Sequence, residues 1–189
     1  MTKEDQINII NSTINKAREN LRPLSFNLIF WGVIINLMSA FHYFFRPVVE
    51  FSKYSVYLYW TIIPILGMVY MIRWNIKRGI EKGYETVLDR TIKIIWSVFG
   101  FGWFFIVISS LLIGKSPVPL ILFLLGLVLV MNGLIIKFKP LTIGGIFLLI
   151  FVLINDTNPG INYLIVNMIG VTLGMLIPAL FLYRMKNSG

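Results

Sequence analysis

Residues 118–136 read VPLILFLLGLVLVMNGLII, nineteen positions without a charge, fourteen of them Leu, Ile, Val or Phe. As a helix rising about 1.5 Å per residue, the run is close to the roughly 30 Å thickness of a bilayer's hydrocarbon core. At about 0.3 to 0.6 kcal/mol per large apolar side chain near the middle of a span, insertion is favoured by at most roughly 4 to 8 kcal/mol. The single amide, Asn132, does not reverse that balance. A membrane span is predicted here, and the rest of the chain can be measured against it.

Upstream lie three runs of the same kind, Leu24 to Phe45, Val56 to Ile72 and Ile94 to Ile113, the last two ended by Arg73 and by Lys115. Downstream, Leu141 to Ile154 is only fourteen residues. It crosses a full core only by recruiting Phe138, Lys139, Pro140 and Asn155, with the lysine snorkelling to the interface. A sequence of turn formers, Asn155-Asp156-Thr157-Asn158-Pro159-Gly160, separates it from a last run, Tyr163 to Tyr183, that stops at Arg184.

The expectation is therefore an all-α fold, a polytopic integral membrane helical bundle with six transmembrane helices at 24–45, 56–72, 94–113, 118–136, 138–155 and 163–183. These form a domain over 24–186, with an amphipathic cytoplasmic arm at 1–23, a basic cytoplasmic loop at 73–93 and a tail at 187–189.

Charge sets the orientation. With six spans, one side carries Lys3, Lys16, Arg18, Arg22, Arg73, Lys77, Arg78, Lys82, Arg90, Lys93, Lys137, Lys139, Arg184 and Lys186, and the other only Arg46, Lys53 and Lys115. The positive-inside rule then places both termini in the cytoplasm of a cell's inner membrane. Were the fifth run not to cross, Arg184 and Lys186 would change sides and the asymmetry would weaken. The net charge of +9 follows from the same distribution and calls for anionic lipid headgroups rather than nucleic acid as its counterpart.

Composition excludes much chemistry. Hydrophobic residues make up 57% and charged residues 13% of the chain, against about 25% charged in an ordinary soluble domain. With no cysteine, disulfides, thiolate nucleophiles and cysteine-ligated metals are out. The lone histidine, His42, leaves a transition-metal site short of imidazoles. Apart from Lys139 in the recruited flank of the fifth run, no Asp, Glu, Lys or Arg falls inside the span boundaries, which argues against proton relays, ion coupling and voltage sensing. No phosphate loop, zinc-protease helix or nucleophile elbow is present, so neither a cofactor nor an enzymatic activity is expected.

Two stretches carry interaction signals. In the arm, Ile7, Ile10, Ile14, Ala17 and Leu21 recur at 3-4-3-4 spacing, the narrow apolar seam of a helix. It would lie on the membrane face or its own bundle, or dock a cytoplasmic partner or second protomer through Ile7, Ile10, Ile14 and Leu21. The loop from Arg73 to Lys93 is too short for a domain, and its Gly79 and Gly83 weaken a continuous helix. From Tyr84 on, helical spacing returns, projecting the third span a few turns beyond the membrane.

Within the spans, Ser25, Gly32, Asn36, Ser39 and Tyr43 share one face of the first helix, and Tyr163, Asn167, Gly170, Gly174 and Pro178 one face of the last. Gly170-Val-Thr-Leu-Gly174 is a small-xxx-small pattern that lets backbones approach, within the bundle or between protomers. Pro64 and Pro178 each remove a helix donor. His42 is expected near one membrane surface, hydrogen-bonded in an aromatic belt with Tyr43, Tyr54, Tyr57, Tyr59 and Trp60, or free to meet a headgroup.

Ala17-Arg18-Glu19-Asn20-Leu21, then Ser25-Phe26-Asn27-Leu28-Ile29-Phe30-Trp31-Gly32, then Phe41-His42-Tyr43 resemble small multi-pass membrane proteins, of about six spans, of the Bacteroidetes type. The resemblance covers about the first 45 residues and departs at Val33, where a second aromatic would follow Trp-Gly. It implies a sensory or regulatory role, since such proteins are encoded beside small winged-helix regulators, and it brings no catalytic residue.

Three functions compete on these residues. The first is a non-enzymatic regulatory or interaction protein acting through its basic face and arm. The second is a small transporter or a lipid- or small-molecule-binding bundle, with a cavity between the first and last helices lined by Asn36, Ser39, Asn132, Asn167 and Thr172. The third, a membrane-embedded hydrolase or transferase, would have to rely on Glu50 and Asp156.

Overall fold

Proline marks four helix starts and glycine two helix ends. Pro23, Pro47, Pro119 and Pro140 each sit in the first turn of a helix, where a missing N–H costs nothing and the fixed φ suits the helix. Gly83 and Gly114 cap two others at φ 69° and 72°, left-handed values that glycine reaches without strain. In the computed structural model, which describes residues 5–6, 21–52, 54–83, 85–158, 160 and 162–184, seven helices lie between residues 21 and 184. They are α1 (Arg22–Phe44), the short α2 (Arg46–Val49), α3 (Ser55–Lys82), α4 (Val87–Ile113), α5 (Val118–Ile135), α6 (Lys139–Thr157) and α7 (Tyr163–Arg184).

Five of them, α1, α3, α4, α5 and α7, are long and apolar enough to cross a membrane, and a shorter apolar helix covers Lys139–Asn155. No strand occurs among the described residues. Apolar side chains are exposed all round the outer helices, Leu112 at 83% and Phe101 at 70% among them, surfaces suited to lipid rather than water.

The expected basic loop of 73–93 is mostly helix. α3 continues through Gly79 to Lys82, and α4 starts at Val87, so the two helices take up most of the stretch. Gly79 costs the helix about 1 kcal/mol, too little to break a helix of 28 residues. Thr86 restarts the chain through a capping box, its hydroxyl accepting from Asp89 N–H at 3.1 Å while the Asp89 carboxylate accepts from Thr86 N–H at 3.1 Å.

The packed core comes from four helices. Leu24 and Leu28 of α1, Leu122, Leu125 and Leu129 of α5, Leu141, Leu148 and Val152 of α6, and Val171, Met175, Ala179 and Leu182 of α7 form one buried cluster, to which α3 and α4 contribute no fully buried member. α5 and α6 make a tight antiparallel hairpin. A Cβ added at Gly133 would meet Thr142, one at Gly145 would meet Val130, and one at Gly126 would meet Leu149. The pairing steps evenly outward from the turn on both helices, so α6 runs the length of α5.

α7 carries one irregular turn. Pro178 has no N–H to give the carbonyl four residues back, and around it the backbone widens over Thr172–Leu176, with Ile177 N–H bonding Thr172 O. This is a π turn. The Gly174 carbonyl lies directly against Gly144 of α6.

The polar faces are partly as the spacing implies. Ser25, Gly32 and Ser39 are buried on α1, and Asn167, Gly170, Gly174 and Pro178 on α7, but Tyr43 and Tyr163 are exposed. Tyr43 lies at the last turn of α1 and Tyr163 at the first turn of α7, helix ends where bulky aromatics turn out of the packed stripe.

Candidate functional site

α3 is held to α1 by rings. Toward the Arg78 end, Phe26 stacks on Trp74 with centroids 4.4 Å apart and Phe30 on Tyr70 at 5.3 Å. Toward the His42 end, Phe41 stacks on Tyr59 at 6.1 Å and the Tyr59 hydroxyl donates to Met38 O at 3.0 Å. Between these two clamps the helices approach at Gly67, where an added Cβ would lie 3.0 Å from Trp31. α4 leans instead on α5, where Gly102 admits Leu124. Although joined by four residues, α3 and α4 form no packed interface with each other.

That divergence leaves two cavities. One, of about 1480 Å³, lies between α1, α3 and α4 at the Arg78 end, with Asn27, Asn75, Arg78, Lys93 and Trp96 on its walls. Arg78 sits over the Trp74 ring at 4.9 Å, and Lys93 Nζ donates to Glu85 at 2.7 Å. Asn27 Oδ1 and Trp96 Nε1, an acceptor on α1 and a donor on α4, are buried without a partner among the described residues.

The other cavity, of about 420 Å³, lies at the His42 end between α1, α3, α4, α5 and the start of α7. Arg46, Glu50, Tyr57, Thr61 and Asn162 are among its polar lining, and Met38, Pro64, Val107 and Leu125 among its apolar wall. The two spaces share Trp31, Met68, Phe99 and Trp103, an apolar waist between two polar ends.

His42 organises the second cavity. It is 7% exposed, with its Nδ1 3.0 Å from the Trp60 indole nitrogen and its Nε2 3.0 Å from Glu50 Oε1. An indole N–H only donates, so Nδ1 accepts, and the network assigns the ring proton to Nε2, which donates to the carboxylate. Of the two expectations for this residue, the structure places it in hydrogen bonds within the aromatic cluster.

The remaining polar candidates serve packing. Asn167 Nδ2 donates to Ser39 Oγ at 2.7 Å, and Ser39 Oγ to Ile35 O at 2.8 Å, tying α7 to α1. Asn36 Nδ2 returns to Gly32 O at 2.9 Å, and the fully buried Asn132 to Val128 O at 2.8 Å. Gly170 faces Leu148, and Gly174 faces Gly144, both on α6, so this small-residue stripe is used inside the bundle. Where the sequence suggested a cavity between the first and last helices, the described residues of those helices are in direct contact. Those helices pack directly through Asn167 and Ser39 and through Gly32 and Leu176, and of the five residues expected to line it only Asn167 reaches a cavity wall.

Ile7, Ile10 and Ile14 lie outside the described residues. Leu21 is half-buried and packs against the core cluster. The waist went unread in the sequence, although Trp31 and Trp103 gave a signal, since tryptophan ordinarily gathers at membrane surfaces rather than mid-span.

Comparison with protein-family models, curated proteins and solved structures finds no match to this chain.

Proposed function

We propose that the chain is a non-enzymatic integral membrane protein of six spans, with both termini in the cytoplasm of the inner membrane, that holds a lipid-like amphiphile between its four-helix core and the diverging helices α3 and α4. The observation that carries this reading is the pair of cavities meeting at Trp31, Met68, Phe99 and Trp103. An apolar waist with polar groups at either end suits a molecule with a polar head and an apolar body, and the smaller volume falls within the range of about 300 to 1,000 Å³ common for ligand sites. The basic asymmetry of the sequence supports the orientation, and the matched pairing of α6 along α5 supports six crossings.

The test is retention. Purified in mild detergent, the full chain is expected to carry bound lipid in a native mass spectrum, and Met68→Trp, which fills the waist, is expected to lose it at unchanged melting temperature. Equal retention in both proteins, or none in the wild type, removes the reading.

A regulatory role through the arm is a second reading, favoured by the 3-4-3-4 seam whose last member, Leu21, already packs on the bundle. Deleting residues 2–20 would then change the co-purifying partners or the oligomer size. If neither changes, the docking idea is lost.

A further inference from the structure

Among the described residues, the mouth of the His42-end cavity carries the cation Arg46 and the anion Glu50. Arg46 Nε and Glu50 Oε1 are 3.9 Å apart, at the limit of an ion pair, with side chains 55% and 47% exposed. An exposed pair at this spacing binds itself weakly, so both groups remain available to a ligand. Glu50 is also held in place. His42 Nε2 donates to Oε1, the histidine is fixed in turn by Trp60, and Oε2 has no partner among the described residues. The mouth therefore presents a positioned carboxylate acceptor beside a guanidinium, above a wall of Met38, Pro64 and Met68.

We propose that this cavity is the headgroup site of a phospholipid bearing a primary ammonium, with Glu50 accepting from the ammonium and Arg46 donating to the phosphate. The proposal rests on the amphiphile-binding reading above and names its ligand class. An anionic headgroup would satisfy Arg46 but set its charge against Glu50. A quaternary ammonium would balance the charge but has no N–H to give Oε2. Only a headgroup with both a phosphate and N–H donors uses each group, and hydrogen bonds between charged partners are roughly twice as strong as neutral ones. One acyl chain would lie inward along Met38, Pro64 and Met68 to the Trp31 and Trp103 waist.

The experiment varies the ligand, so it does not depend on a variant folding. The full-length wild type in mild detergent is titrated with phosphatidylethanolamine, its N-methyl and N,N-dimethyl forms, phosphatidylcholine and phosphatidylglycerol, all with the same acyl chains, and bound lipid is counted by native mass spectrometry. Retention is expected to fall stepwise as N–H donors are removed, by about tenfold from the first to the fourth, the loss of a charged hydrogen bond. Phosphatidylglycerol is expected to bind no better than phosphatidylcholine. In Glu50→Gln the slope across the methylated series should flatten, while Glu81→Gln, on the far side of the waist, should leave it unchanged. Equal retention of all five lipids overturns the ammonium site but leaves an amphiphile-binding bundle. Preference for phosphatidylglycerol overturns it in favour of an anion site. No retained lipid of any kind overturns both readings.

Discussion

Asn167 and Ser39, 128 positions apart, are joined by a hydrogen bond of 2.7 Å between α7 and α1, both side chains buried. Within a bundle surrounded by lipid, apolar burial does little to hold helices together, so packing and such polar contacts carry more of the specificity. The pair is asymmetric. Ser39 has a second partner in Ile35 O, whereas the Asn167 carbonyl has none among the described residues. Ser39→Ala strands the whole amide and should destabilise the protein by about 1 to 3 kcal/mol. Asn167→Leu removes the amide and its unsatisfied carbonyl together and should cost only about 0.6 to 2 kcal/mol. Thermal unfolding in detergent, followed by circular dichroism, would order the two, and a larger loss in Asn167→Leu would contradict this account.

The contact between Gly144 and Gly174 makes a sharper prediction. A Cβ at Gly174 would stand 2.7 Å from Gly144 O, with backbone rather than a movable side chain in its way. Gly174→Ala should lower stability by roughly 1 to 3 kcal/mol, the usual cost of overpacking. Gly79→Ala meets nothing within 4 Å and should raise it by up to about 1 kcal/mol through helix propensity. Opposite signs in one melting assay are expected from the same substitution.

The short connection between α3 and α4 depends on Thr86, whose hydroxyl accepts from Asp89 N–H while its own N–H reaches the Asp89 carboxylate. Thr86→Ala removes half of this box at a cost of about 1 kcal/mol. The loss should appear as faster amide exchange confined to the first turn of α4. Thr86→Ser, which keeps the oxygen, should restore protection.

Why the short connection went unread in the sequence is physical. Thr86-Val-Leu-Asp89 is a legible cap, and Pro23, Pro119 and Pro140 mark starts that the structure uses. Gly79 weakens a helix, but its penalty is small beside the cooperativity of a long one. Hydropathy also located the apolar helices, because length and polarity are properties of a segment alone. It did not locate the cavities. A helix bathed in lipid and a helix buried in protein are equally apolar, so nothing in α3 or α4 announces that they diverge. The two polar faces that carry Ser39 and Asn167 were visible in their spacing, yet their pairing depends on which helix lies opposite.

At the waist, Trp31 and Trp103 separate the two cavities with large rings. Replacing both by alanine removes the bulk of that barrier and leaves the polar ends intact. Reconstituted in liposomes with fluorescent phospholipid, the double variant should move lipid between leaflets faster than the wild type. A single substitution at Phe123, exposed on α5 away from both cavities, should leave the rate unchanged. Identical rates in all three proteins would show that the two spaces do not form one path.

The crossing of α6 is open to a direct test. It has 19 residues, about 28 Å of helix, slightly short of the hydrocarbon core. Its contacts with α5 nevertheless pair Gly133 with Thr142, Val130 with Gly145 and Gly126 with Leu149, so α6 lies alongside α5 over matching depths. Small mismatch is absorbed by local thinning or by Lys139 reaching the interface. Because the chain has no cysteine, single reporters are clean. With six crossings, Asn158→Cys should react with an impermeant maleimide added outside intact cells, and Ser188→Cys only after permeabilisation. If α6 stops at the surface, both patterns invert, with position 188 labelled from outside and position 158 protected. The two sites report the same event with opposite signs, so poor reactivity at one of them cannot imitate the six-span result.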